Sequence, residues 1–187
     1  MCDFKLRVVG DDFMNNNGWR KWVFSNSAEI DATSEEVFKV LTTTNSWKDW
    51  FPEIVDVNWT TPDPKSVGTT RTIRFYHWLF ALLLFGTISV NEYFFKWEEN
   101  KRITFYVTSI SRPTILTFNA LLEDYNVEDL GNGKSKFTYT VYAEPGFLTW
   151  SLGFLYYVAR GIFTKGPAGL KVYIETTVKK NPANTGN

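Results

Sequence analysis

The sequence predicts an α+β fold in which a strand and two short helices precede a long antiparallel meander, and a helical segment closes the chain. Three observations carry this. Apolar and polar residues alternate from Trp22, the alternation resumes after Pro52 for roughly a hundred residues, and the pattern turns helical after Glu144.

Trp22, Phe24, Ala28 and Ile30 share one face of the first strand and Ser25, Ser27 and Glu29 the other, with Asn26 the polar exception on the inner face. In DATSEEVFKVLTT, Thr33 and Glu36 stand at capping-box spacing, so a helix starts there with Val37, Val40 and Leu41 as its apolar stripe. Trp47, Trp50 and Phe51 continue at helical spacing until Pro52, which lacks a backbone donor, stops a second short helix. The turn-type clusters TPDPKSVG, EENK, SRPT and LGNGKS then separate strands expected near 54–60, 68–77, 86–97, 102–111, 115–127 and 134–144. Ile103, Phe105 and Val107 alternate with Thr104, Tyr106 and Thr108. Phe137, Tyr139, Val141 and Ala143 alternate with Lys136, Thr138, Thr140 and Tyr142, so one sheet face is apolar throughout. From Phe147 to Phe163 the chain is apolar almost all round, and a narrower stripe of Leu170, Tyr173, Ile174, Thr177 and Val178 follows. Gly161 and KGPAG mark an expected kink between them. Residues 1–19, ending in NNNG, are expected to form an arm or an extra strand ahead of a single domain over 20–180, with 181–187 a disordered tail.

At 187 residues the chain suffices for one sizeable core and is short for two. Lys plus Arg equals Asp plus Glu at 20 each, so no global field draws nucleic acid or an anionic membrane, and the aromatic residues sit among aliphatic rather than basic ones. One Cys and one His cannot make an internal disulfide or an ordinary zinc site. No Gly-rich phosphate cradle occurs, since GNGK lies between strands and reads as a hairpin turn. Neither metal nor cofactor is expected. MCDFKLRVVGDDF carries acids and no apolar stretch of the signal type, so a cytoplasmic setting is expected and the sequon at Asn58-Trp59-Thr60 is read as chance. The unusual number is the aromatic content of 18%, with 8 Trp, 9 Tyr and 16 Phe. Rings in that quantity fill or line a large space.

The order of elements, together with SAEIDATSEEVFKVLTTTNSWKDWFPEIVDVNW, VGTTRTIRF, EYFFKWEENKRITFYV and GLKVYIE, resembles the START/birch-pollen-allergen-like superfamily (SRPBCC), and within it the polyketide cyclase/dehydrase-type members, over residues 20–178. The resemblance implies a helix-grip fold: a curved antiparallel sheet of about seven strands wrapped around a long C-terminal helix, with an apolar cavity between them. It also implies binding or transport of a hydrophobic small molecule such as a lipid, sterol or polyketide, with a minority of cyclases and dehydratases.

One stretch departs from that pattern. YHWLFALLLFGT puts Trp78, Leu79, Phe80, Leu82, Leu83, Leu84 and Phe85 where a short polar turn is usual. Residues 78–85 would span roughly 12 Å as a helix, far short of the roughly 20 residues that cross a bilayer. Three readings stand: a lid over the cavity mouth or the C-terminal helix, a tip dipping into a membrane interface with Tyr76 and Trp78 at headgroup level, or a dimer patch.

Parity assigns Phe24, Phe75, Phe95, Phe105, Phe118 and Tyr139 from the sheet, with Phe154, Leu155 and Val158 from the gripping helix, as ligand-lining residues. Arg71 shares parity with Ile73 and Phe75 and could hold a carboxylate or phosphate headgroup, although a cross-strand ion pair with Glu92 is the favoured alternative. His77, the only histidine, reads as a mouth or surface residue. Glu92, Glu123, Asp124 and Glu144 could serve acid–base chemistry if burial raised one pKa, but their spacing does not demand it. The leading expectation is a non-enzymatic binder or carrier with no catalytic residues, a monomer or weak dimer with peripheral membrane contact. The rivals are a cyclase or dehydratase using Arg71, His77 or Tyr139, and a co-chaperone-like interaction module whose cavity is filled by its own rings.

Overall fold

The computed structural model describes residues 3–16, 18, 20–43, 46–61, 65–76, 87–111 and 117–178. His77, the run Trp78–Phe85 and the tail 181–187 lie outside the described residues.

The N-terminal arm contributes β1 (Phe4–Lys5) and α1 (Asp11–Asn15), and the domain proper opens with β2 (Trp22–Ile30), α2 (Ser34–Thr42) and α3 (Trp47–Trp50). The meander follows as β3 (Ile54–Trp59), β4 (Thr70–Tyr76), β5 (Thr87–Glu98), β6 (Arg102–Ile110), β7 (Phe118–Gly131) and β8 (Lys134–Pro145). Neighbours run antiparallel in the order β2-β8-β7-β6-β5-β4-β3. The first strand of the domain, β2, pairs with the last, β8, so the open edges are β2's far side and β3; apart from the pairing of β1 with β6, every other adjacency joins strands consecutive in sequence. The tight β7–β8 hairpin turns on Asn132 and Gly133, both at positive φ (53° and 71°), which is the conformation its GNGK sequence permits at little cost.

Helix α2 starts as its capping box dictates. Glu36 N–H donates to Thr33 Oγ1 at 3.2 Å, and Thr33 N–H donates to the Glu36 carboxylate at 2.8 Å. Val37, Phe38, Val40 and Leu41 are buried beneath it. Trp47 donates its indole N–H to Leu41 O at 3.1 Å, which seats α3 against α2.

The closing helical segment lies against the concave face in three pieces, α4 (Phe147–Ser151), α5 (Phe154–Phe163) and α6 (Gly166–Tyr173), ending in a π-type turn over Ile174–Val178. The kink falls at Thr164–Lys165, ahead of Pro167, while Gly161 stays inside α5. Asn26, the inward polar exception of β2, donates to Thr164 O at 2.7 Å and so satisfies a carbonyl at the end of α5. At Gly169 a Cβ would lie 2.1 Å from Trp50 O, so α6 approaches α3 as closely as it does only because no side chain intervenes.

The arm fills a gap in the sheet. Pairing of β6 with β7 runs only to Tyr106 opposite Leu122, and beyond it β1 pairs with Ser109 and Ile110. Leu6 N–H then donates to Thr108 O at 2.9 Å and Arg7 N–H to Asn119 O at 2.8 Å, bridging the two separated strands. Leu6 joins the inner core, whereas Val9 packs on the outer face with Tyr106, Ala120 and Leu122.

Candidate functional site

Between the upper half of the sheet and α5 lies a cavity of about 90 Å³. Its walls are Phe51 and Ile54, Ile73 and Phe75 of β4, Ile88 and Val90 of β5, Ile110, Phe118, and Ile162 with Phe163 of α5. Its floor carries the polar groups: Glu92, Glu123, Tyr125 and Tyr139 beside Trp47.

Below the floor the interior is solid. Tyr125 meets Phe105, Phe137 and Tyr139 edge-on at 5.1, 5.5 and 4.9 Å between ring centroids. Arg71 is sunk among these rings, its guanidinium carbon 4.2 Å from the Trp47 centroid, 4.7 Å from Phe105 and 5.0 Å from Phe94. Its Nε donates to Glu92 Oε2 at 2.5 Å, the pair being 1% and 3% exposed. Burial disfavours the Arg71 charge, but Glu92, then Tyr125 and Glu123, outweigh it and raise its pKa above the ordinary arginine value.

Burial raises Glu92 as well, against the charge and hydrogen bond of Arg71. The second carboxyl, Glu123, forms no ion pair among the described residues. Burial, then the negative charge of Glu92, push Glu123 up to about 8, against the opposing hydrogen bond from Tyr139 and the more distant Arg71. Tyr139 Oη donates to Glu123 Oε2 at 2.6 Å. Burial, and next the proximity of Glu123, hold both Tyr125 and Tyr139 well above the ordinary phenol range, so they remain neutral hydroxyls. A protonated carboxyl and a phenol on the floor of an apolar cavity can donate to and accept from a ligand oxygen, and a carboxyl titrating near neutrality can also pass a proton.

The residues expected at the site are distributed as follows. Phe75, Phe118 and Tyr139 line the cavity. Phe24 and Leu155 are fully buried beside it, Phe24 stacked on Phe163 at 5.9 Å, and Val158 packs partly buried against the same core. Phe105 belongs to the solid layer beneath the floor rather than to the cavity. Arg71 is likewise behind the floor, its charge taken by Glu92, and presents no headgroup clamp. Phe95 is on the opposite face, against Tyr106 at 5.9 Å, because the register of β5 shifts between Phe94 and Lys96; the inward series reads Ile88, Val90, Glu92, Phe94 and then Trp97. Phe154 points to solvent, since the inner stripe of α5 is Leu155, Ala159 and Ile162. In the sequence Glu123 is one of several carboxylates with no spacing that singles it out. Its inward parity with Leu121 and Tyr125 on β7 was the signal that sets it apart from Asp124, which turns outward to Arg102 at 2.8 Å.

A curled antiparallel sheet gripping a C-terminal helical segment over an apolar cavity is the helix-grip architecture. Residues 21–175 match the family model described as polyketide cyclase / dehydrase and lipid transport, and the chain belongs to that family. Uncharacterised proteins of Mycobacterium tuberculosis and Mycobacterium bovis are 30% identical over 112 residues, 60% of this chain and 60% of theirs, so the match spans about three fifths of the curated relatives' length. Among solved structures, a Thermus thermophilus protein superposes with a TM-score of 0.64 at 11% identity, over 82% of this chain and 97% of its own. A START superfamily protein from Mycobacterium smegmatis gives 0.53 at 12% identity over 75% and 96%. The di-domain ARO/CYC BexL from the BE-7585A biosynthetic pathway gives 0.54 at 12% identity over 90% and 48%. At these identities the likeness is one of fold.

Proposed function

We propose that this chain binds a small hydrophobic molecule between sheet and helix, with an uncharged oxygen of the ligand set against Glu123 and Tyr139. The observation that supports it is the contrast within the cavity: apolar walls throughout, and a single polar end where a carboxyl keeps its proton. Apolar burial contributes about 25 cal/mol per Å², and the polar pair selects a ligand carrying a hydroxyl or carbonyl over a plain hydrocarbon. The cavity, about 90 Å³, is well below the roughly 300 Å³ of a common ligand pocket. The occupant is therefore compact, or it enters by displacing the mouth rings Phe118 and Phe163. The apolar run Trp78–Phe85 joins β4 to β5, whose Phe75 and Ile88 line the cavity, and in this reading it serves ligand entry from a membrane interface.

A second reading has its own support. A carboxyl poised at about 8 beside a phenol is also what a cyclase or dehydratase uses for proton transfer.

Native mass spectrometry of the purified protein, followed by organic extraction, tests the first reading. A co-purifying neutral amphiphile that Ile88→Trp, which fills the cavity, excludes is the expected result. A wild-type protein that carries nothing and takes up no small alcohol, ketone or phenol in a screen overturns it. Turnover of a captured ligand that is lost in Glu123→Gln transfers the assignment to the enzyme.

A further inference from the structure

The sheet has a split, and the split stands beside the cavity. Strands β6 and β7 pair from Arg102 opposite Asn126 as far as Tyr106 opposite Leu122 and then part, although β6 runs on to Ile110 and β7 begins at Phe118. Ile110 on one side of the gap, with Phe118 and Leu121 on the other, lines the cavity. What closes the gap is the arm. Its β1 pairs with Ser109 and Ile110, and Leu6 and Arg7 donate their N–H groups to Thr108 O on β6 and Asn119 O on β7.

The arm also divides two spaces. Leu6 belongs to the inner core, whereas Arg7, Val8, Val9 and Gly10 line a groove of about 790 Å³ on the convex face, against Phe95 and Tyr106. Its hold there is slight. The strand is two residues long, only Leu6 and Val9 are buried among residues 3–16, and the ion pairs of Arg7 with Glu144 and Lys96 with Asp11 are open to solvent, where such pairs contribute little. The other end of the arm is fastened, since Lys21 Nζ donates to Met14 O and Asn16 O, both at 2.8 Å. Segments with so few buried contacts open locally at a fraction of the free energy of global unfolding.

We infer that residues 3–9 are a displaceable wall of the cavity, which lifts from the split between β6 and β7 about Gly10 while α1 stays in place, and so opens the interior sideways to the convex groove. For its cargo, a small hydrophobic molecule, the inference rests on the cavity reading, and it adds a second way in, through the sheet rather than past α5. The groove suits that role. Phe95 and Tyr106 offer an apolar molecule a surface outside the sheet, and joining the two spaces relieves the small size of the inner cavity. The split has a reason in the same terms, because parted ladders expose N–H and C=O groups that require a partner. A short separable strand supplies one, where a continuous ladder of β6 with β7 would seal the wall permanently.

The test is thiol labelling of the full-length protein with a cysteine on the cavity wall at the split, Leu121→Cys or Ile110→Cys, in a Cys2→Ser background. Labelling by iodoacetamide without denaturant is expected to proceed through local opening, and to rise about tenfold with Val9→Ser, which loosens the arm from the outer face without touching the cavity. Val127→Cys, buried at the far end of β7, is expected to stay protected with and without Val9→Ser and so reports global unfolding. Split cysteines that label no faster with Val9→Ser, or only in step with Val127→Cys, overturn the inference. For passage of a ligand, Lys5→Cys/Ser109→Cys in the same background joins residues directly opposite in the pairing of β1 with β6. Its oxidised form is expected to take up 2-naphthol about tenfold more slowly than its reduced form, and equal rates overturn the inference. Uptake by neither form, with labelling that still follows Val9→Ser, upholds the opening and counts against the cavity reading alone.

Discussion

At the scale of single residues, two buried carboxyls share one buried cation. Glu92 touches Arg71 and Glu123 does not; burial raises both above the ordinary carboxylate value, and the added charge of Glu92 helps push Glu123 up to about 8. Its ordinary value is 4.5 and its folded value about 8, so the folded protein binds one more proton than the unfolded chain between those limits. Stability therefore falls as pH rises through that window and levels off above it. Glu123→Gln lacks the linkage and is expected to match wild type at the acid end and exceed it by on the order of a few kcal/mol at the alkaline end. Urea unfolding across the pH range measures this, and a pH-independent offset between the two proteins rejects the assignment. Arg71→Met leaves Glu92 buried without its partner, with an expected loss of about 3–5 kcal/mol. Arg71→Met/Glu92→Gln removes the orphaned charge, and recovery of most of that loss in thermal melts is the expected outcome.

At the scale of elements, α3 and α6 meet at a glycine. Gly169→Ala drives a Cβ into the Trp50 carbonyl, which is backbone and cannot swing away, and a loss of about 2–3 kcal/mol is expected. Gly161→Ala makes the control: it lies inside α5 with nothing within 4 Å of the added carbon, so up to about 1 kcal/mol is gained. Chemical denaturation of the pair separates a close approach from a general helix effect. The elements themselves were largely legible. The capping box placed the start of α2, turn clusters divided the meander, and alternation assigned Phe75, Phe118 and Tyr139 to the inner face. Alternation failed at Phe95, where a bulge inserts one residue and reverses the parity that Trp97 projects backwards along β5. It failed on α5 for another reason: a helix apolar on both sides gives no signal as to which side is covered, so Phe154 and Leu155 could not be told apart.

At the scale of the whole molecule, the described aromatic residues divide among several uses, one of them the outer-face cluster of Phe13, Tyr93, Phe95, Tyr106 and Tyr142. Phe38, Trp47, Phe94, Phe105, Tyr125 and Phe137 fill the deep half of the grip, Phe75, Phe118 and Phe163 ring the cavity, and Phe147, Trp150, Phe154 and Tyr157 face outward. The arm adds a feature outside the matched residues 21–175, a short strand seated where β6 and β7 part. The amino-acid sequence by itself determined the order of elements, the inner face of most strands and the favoured Arg71–Glu92 pairing. These depend on period, turn chemistry and cross-strand parity, which are local. Only the tertiary structure decided how much of the interior is cavity, that burial raises the Glu92 and Glu123 carboxyls, and which side of α5 is bare. Burial and charge competition are summed over segments far apart in the chain, and no local pattern encodes that sum.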